Sequence, residues 1–71
     1  MRSETYKHLG EVLFEFHPIG SSVKVCAIDP KSGVEVSIVG PANAGQMELK
    51  RIAMRKLDYV LAKRAEGQSG G

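Results

Sequence analysis

The stretch from about Ala44 to Ala65, AGQMELKRIAMRKLDYVLAKRA, constrains this chain most, because it is the one long run with a helical period. Neither Pro nor Gly occurs between Met47 and Glu66, and most residues there are strong helix formers. Asn43, with Gln46 three residues on, reads as a capping box that satisfies free backbone N–H groups at the helix start. Pro41 stiffens the entry. Gly67 is expected to stop the helix after Lys63 and Arg64, cations that suit its C-terminal dipole. At about 100° per residue, Leu49, Ala53, Leu57, Val60 and Leu61 share one side. Glu48, Arg51, Arg55 and Asp58 lie opposite, and Lys56 and Lys63 sit beside the apolar stripe, where their stems can cover apolar surface. A stripe of this kind needs a partner, and the residues before it read as a small sheet.

Glu11 to His17 alternates, with Val12, Phe14 and Phe16 on one face and Glu11, Leu13, Glu15 and His17 on the other. Pro18 to Ser22 is a turn by composition. Val23 to Ile28 is a second strand, with Val23, Val25 and Ala27 inward and Lys24, Cys26 and Ile28 outward. Asp29-Pro30-Lys31-Ser32-Gly33 is a hairpin loop: Asp bonds its own downstream backbone, Pro presets a turn angle, and Gly supplies the left-handed position. Val34 to Val39 is a third strand, with Val34, Val36 and Ile38 inward. The expected fold is therefore α+β, a three-stranded antiparallel meander with one long C-terminal helix across one face. The expected division is a flexible tail over 1–9, a single β-β-β-α domain over 10–65 and a second flexible tail over 66–71. Tyr6 and Leu9 are the tail residues able to dock on the core.

A chain of 71 residues buries a modest share of its surface, about 60%. Cys26 is the single cysteine, so no internal disulfide adds stability, and a closed Cys/His zinc site lacks its ligands. Self-association is the remaining source of extra burial. The first residues have no apolar run of signal-peptide type, and no eighteen-residue apolar segment occurs, which gives the expectation of a cytoplasmic chain outside any membrane. The net charge of +2 is too small to point to nucleic acid. From Met47 to Arg64, however, six Lys/Arg stand against Glu48 and Asp58, a local +4, so the basic character belongs to the helix.

Four constellations bear on function. The outer sheet face carries Leu13, Cys26, Ile28 and Val39 among Glu11, Glu15, His17, Lys24, Glu35 and Ser37, more apolar than a solvated face needs. A patch of a few hundred Å² would suit an unidentified protein partner or a second copy of the chain. The basic helix face, with Lys50, Arg51, Arg55 and Lys56 as candidate phosphate contacts, offers a weak nucleic-acid alternative. Sheet-face binding of nucleic acid is disfavoured, because Glu11, Glu15 and Glu35 have the wrong sign and Phe14 and Phe16 point inward. Gly40 to Gly45 leads into a helix N-terminus, the setting of an anion site, yet it lacks the Lys and Gly spacing of a phosphate loop. His17 and Cys26 are the conspicuous reactive pair, but the register of the turn between them sets them apart, and a flat sheet has no cleft for nucleophilic catalysis. No catalytic, cofactor-binding or metal-binding residue is assigned, and the chain is read as a non-enzyme.

In FEFHPIGSSVKVCAIDPKSGVEVSIVGPANAG and the following RKLDYVLAKR, the chain resembles a family of short alphaproteobacterial proteins classed as a domain of unknown function. The resemblance covers about Glu11 to Arg64, and the runs VKVCAIDPKSGVEVSIVGP and KLDYVLAKR are its most specific parts. It implies no catalytic residues.

Overall fold

The structure, a computed structural model, describes residues 2–6 and 9–69. Four strands, β1 (Arg2–Tyr6), β2 (Gly10–Ile19), β3 (Ser22–Asp29) and β4 (Val34–Pro41), precede one helix, α1 (Gln46–Ser69). The strands form one antiparallel sheet in the order β1-β2-β3-β4, and α1 lies across one face of it, against β3 and β4. The α+β meander with a C-terminal helix is as expected, but the strands number four rather than three.

The additional strand is β1, which lies inside the stretch read as a loose tail. Its sequence RSETY has no apolar alternation to reveal it. Backbone pairing places it instead, with Arg2 opposite Phe14 and Tyr6 opposite Gly10. Glu4 and Tyr6 thereby share the helix side of the sheet with Val12 and Phe14. There the Tyr6 ring meets Phe14 edge-on at 6.4 Å, and the Glu4 carboxylate pairs with Lys50 of α1. The Tyr6 hydroxyl donates to Glu4 at 2.5 Å. Burial, together with that bonded carboxylate, pushes the Tyr6 phenol up to about 12.

The core joins Val12, Phe14, Val25, Ala27, Val34 and Val36 to Leu49, Ala53 and Leu57, the centre of the expected helical stripe. Phe14, Leu57, Val12 and Val25 are its largest fully buried side chains, each worth about 1.5–3 kcal/mol of transfer free energy. Phe16, Val23 and Ile38, inward by alternation, pack only partly against this core, as do Val60 and Leu61.

Two turns set the register. The β2–β3 turn is shorter than its composition implies: Ile19 pairs with Ser22, leaving Gly20 and Ser21 as a two-residue loop. Gly20 supplies the positive φ of 58° that a II′ hairpin needs at its first loop position. Pro18 therefore sits inside β2, opposite Val23, beyond the end of β1, where β2 has a neighbour on one side only. In the β3–β4 loop, the buried Asp29 accepts from Lys31 N at 3.2 Å and from Ser32 Oγ at 2.7 Å, and Gly33 N donates to the Asp29 carbonyl at 2.8 Å.

The helix starts two residues later than Ala44. Ala44 N donates to the Pro41 carbonyl at 3.0 Å, so residues 41–44 are spent on a turn. Leu49 N donates to the Gly45 carbonyl at 3.1 Å, which makes Gly45 the N-cap in place of Asn43. At its other end α1 runs through Gly67 to Ser69 rather than stopping at Ala65. Among solvent-exposed residues a helical glycine costs only about 1 kcal/mol and does not forbid the turn.

Helix and sheet approach closely at Gly40, where an added Cβ would stand 2.6 Å from Leu49 Cδ2. Leu49 is buried in the core, so its side chain must shift to admit the methyl group. Gly40→Ala is therefore expected to lower unfolding free energy by about 1–3 kcal/mol, read from urea melts, with less than additive loss in a Gly40→Ala/Leu49→Ala protein. The raised Tyr6 pKa predicts a second effect. Its contribution to stability is complete below about pH 10, the unfolded value, and is lost as pH climbs towards the folded value of about 12. Tyr6→Phe should remove that part of the alkaline destabilisation in urea midpoints measured across the window.

Candidate functional site

With α1 on one side, the sheet has an outer face that no other described element covers. Cross-strand pairing lays its residues out in rows. One row runs Ser3, Leu13, Ile28, Glu35; the next runs Glu15, Cys26, Ser37; a third runs His17, Lys24, Val39. Leu13 and Ile28 are direct partners, so their side chains touch as a cross-strand pair. Cys26 lies beside them and is 3% exposed, although no layer sits above it. Neighbouring side chains on its own face bury it. Val39, 66% exposed, stands at the corner of the sheet, diagonal to Cys26 and away from the Leu13–Ile28 pair. The four residues expected to form one patch thus divide into a contiguous trio and an outlying valine.

Charge on this face is polarised along the strands. Glu11 and Glu35 lie towards one end, and Lys24 and His17 towards the other. Glu11 is held by Ser3 Oγ, which donates to its carboxylate at 2.6 Å. Glu15 and His17, two residues apart on β2, meet at 3.0 Å between a carboxylate oxygen and Nε2.

The expectation that the register separates His17 from Cys26 is overturned. The two-residue turn puts Glu15 directly opposite Cys26 and His17 on the diagonal, and the ligating atoms of Glu15, His17 and Cys26 all lie within 4.8 Å of one another. Burial pushes the Cys26 thiol up; Lys24 pulls it back, and Glu35 and Glu15 push it higher again. The cysteine is therefore a protonated thiol at neutral pH rather than an activated nucleophile.

The basic helix face is largely spent within the chain. Lys50 is paired with Glu4 and lies 5.9 Å from the Phe14 ring centroid. Arg51 donates to both carboxylate oxygens of Glu48, at 2.6 and 2.7 Å. Lys56 reaches past the helix to donate to the Ser37 carbonyl at 2.9 Å, on the open edge of β4. Of the four candidate phosphate contacts, only Arg55 is exposed with no such bond. The loop into α1 spends its amides similarly: Ala42 N donates to Ser21 O at 2.8 Å, and Ala44 N to Pro41 O. The hollow beside it is lined mainly by apolar groups, among them Phe16, Val23, Ala44 and Leu49, which do not suit an anion.

Among the described residues, no helix is long and apolar enough to cross a membrane. The family model described as domain of unknown function DUF6898 matches residues 9–64, and the chain belongs to that family. No curated protein and no solved structure matches the chain.

A buried, protonated thiol should react slowly. Alkylation of Cys26 by iodoacetamide at neutral pH is expected to be well below the rate of the urea-unfolded chain and to accelerate with rising pH, followed by mass spectrometry.

Proposed function

We propose that this member of the DUF6898 family is a small non-catalytic interaction module that pairs with a second copy of itself through the outer face of its sheet. The observation that carries the reading is the half-buried Leu13–Ile28 pair beside buried Cys26, on a face that no other described element covers. A second copy of the chain is the simplest occupant, because one self-complementary patch serves both sides of a twofold interface. Four strands at about 4.8 Å spacing and about 27 Å of length give roughly 500 Å² per copy, the low end of specific interfaces. The pairing is accordingly concentration-dependent. Three of the four candidate phosphate contacts already have partners, which leaves nucleic acid the weaker reading. A reducing compartment such as the bacterial cytoplasm suits a thiol kept free at the centre of the face.

Light scattering at increasing protein concentration should show mass rising towards twice that of one chain, with Ile28→Lys and Leu13→Glu proteins remaining monomeric and folded. A wild-type mass that stays at one chain throughout would sink the reading.

A further inference from the structure

We propose that Glu15, His17 and Cys26 form a binding site for a zinc-class divalent cation, with one carboxylate oxygen, one imidazole nitrogen and one thiolate as ligands. The site stands on one copy of the chain and does not require the pairing described above. All three groups come from two adjacent strands. Glu15 and His17 project from the same side of β2, and Cys26 is the residue of β3 directly opposite Glu15. Their ligating atoms already converge to within 4.8 Å, and the Glu15–His17 pair to 3.0 Å. A tetrahedral zinc with bonds of about 2.0–2.3 Å sets its ligands about 3.3–3.8 Å apart. Glu15 is half-exposed and His17 exposed, which leaves both side chains room to turn towards Cys26.

The donor set selects the ion. One sulfur, one nitrogen and one oxygen suit borderline metals and disfavour magnesium and calcium, which take oxygen ligands. Three protein ligands leave a fourth position for water on the unpaired chain, as in open rather than closed zinc sites. Binding releases one proton, from the Cys26 thiol, and forms one sulfur–metal bond. The charged and titratable groups facing that sulfur are Glu15 and His17 from β2, Lys24 from β3 and Glu35 from β4. With the thiolate formed, two carboxylates and one sulfur outweigh Lys24, so the pocket is net negative around the cation. The sequence argument against zinc counted only cysteines and histidines. It left out a carboxylate ligand and a register that no single strand displays.

The test is a titration of the reduced protein with Co²⁺ alone, watched by near-ultraviolet and visible absorption. The expected result is one Co²⁺ per chain, a thiolate-to-cobalt charge-transfer band, and displacement of that band by Zn²⁺. Cys26→Ser should abolish the band, and His17→Ala and Glu15→Gln should each weaken cobalt binding about tenfold or more. Both latter positions lie outside the core, so far-ultraviolet circular dichroism of the variants should match the parent. No band in the folded parent, or a band of equal affinity in both the His17→Ala and Glu15→Gln proteins, would overturn the site.

Discussion

A single helix can cover only one face of a sheet, and most of this structure follows from that limit. Leu49, Ala53 and Leu57 bury themselves on the valine-rich side of β2, β3 and β4, and with Val12, Phe14, Val25, Ala27, Val34 and Val36 they form the buried core. At Gly40 the absence of a side chain lets Leu49 press onto the sheet. Everything on the opposite side must then be stabilised by the strands themselves. Cys26 shows how far that goes: its neighbours on the bare face bury it almost completely.

The sheet also has two edge strands, and a helix lysine reaches each. At β4, Lys56 donates to the Ser37 carbonyl, blunting an edge that would otherwise offer that group to another strand. At the other side, β1 covers β2, and the Lys50–Glu4 pair ties β1 to the helix. Both lysines are long enough to keep their stems over apolar surface while the charge finds an acceptor. A face that looks like a phosphate tracker on a helical wheel is therefore mostly internal scaffolding. The outer face is left with no described element over it.

How much of this was legible follows from which signals are local. The helical stripe, the alternation of three strands and the Asp29–Gly33 loop rest on period and turn chemistry, and they appear where the residues put them. What escaped was non-local. β1 has no apolar pattern of its own, and its place depends on Tyr6 meeting Phe14 and on Glu4 meeting Lys50, 46 residues away. With β1 hidden, Lys50 had no visible partner and read as free. The helix cap shifted from Asn43 to Gly45 for a similar reason, since a turn closed by Pro41 consumed the intervening residues.

The Glu15–His17–Cys26 cluster turned on one count of residues. Reading Pro18 to Ser22 as the turn stops the first strand at His17 and sets it opposite Val23, a pairing of an outward residue with an inward one. That mismatch was itself a sign that the turn was too long, because cross-strand partners share a face. Moving the turn to Gly20 and Ser21 restores the parity, pairs His17 with Lys24 and brings Cys26 opposite Glu15. The left-handed φ of Gly20 is what permits so short a turn. The chemistry available on the bare face is thus set by a glycine that touches none of it.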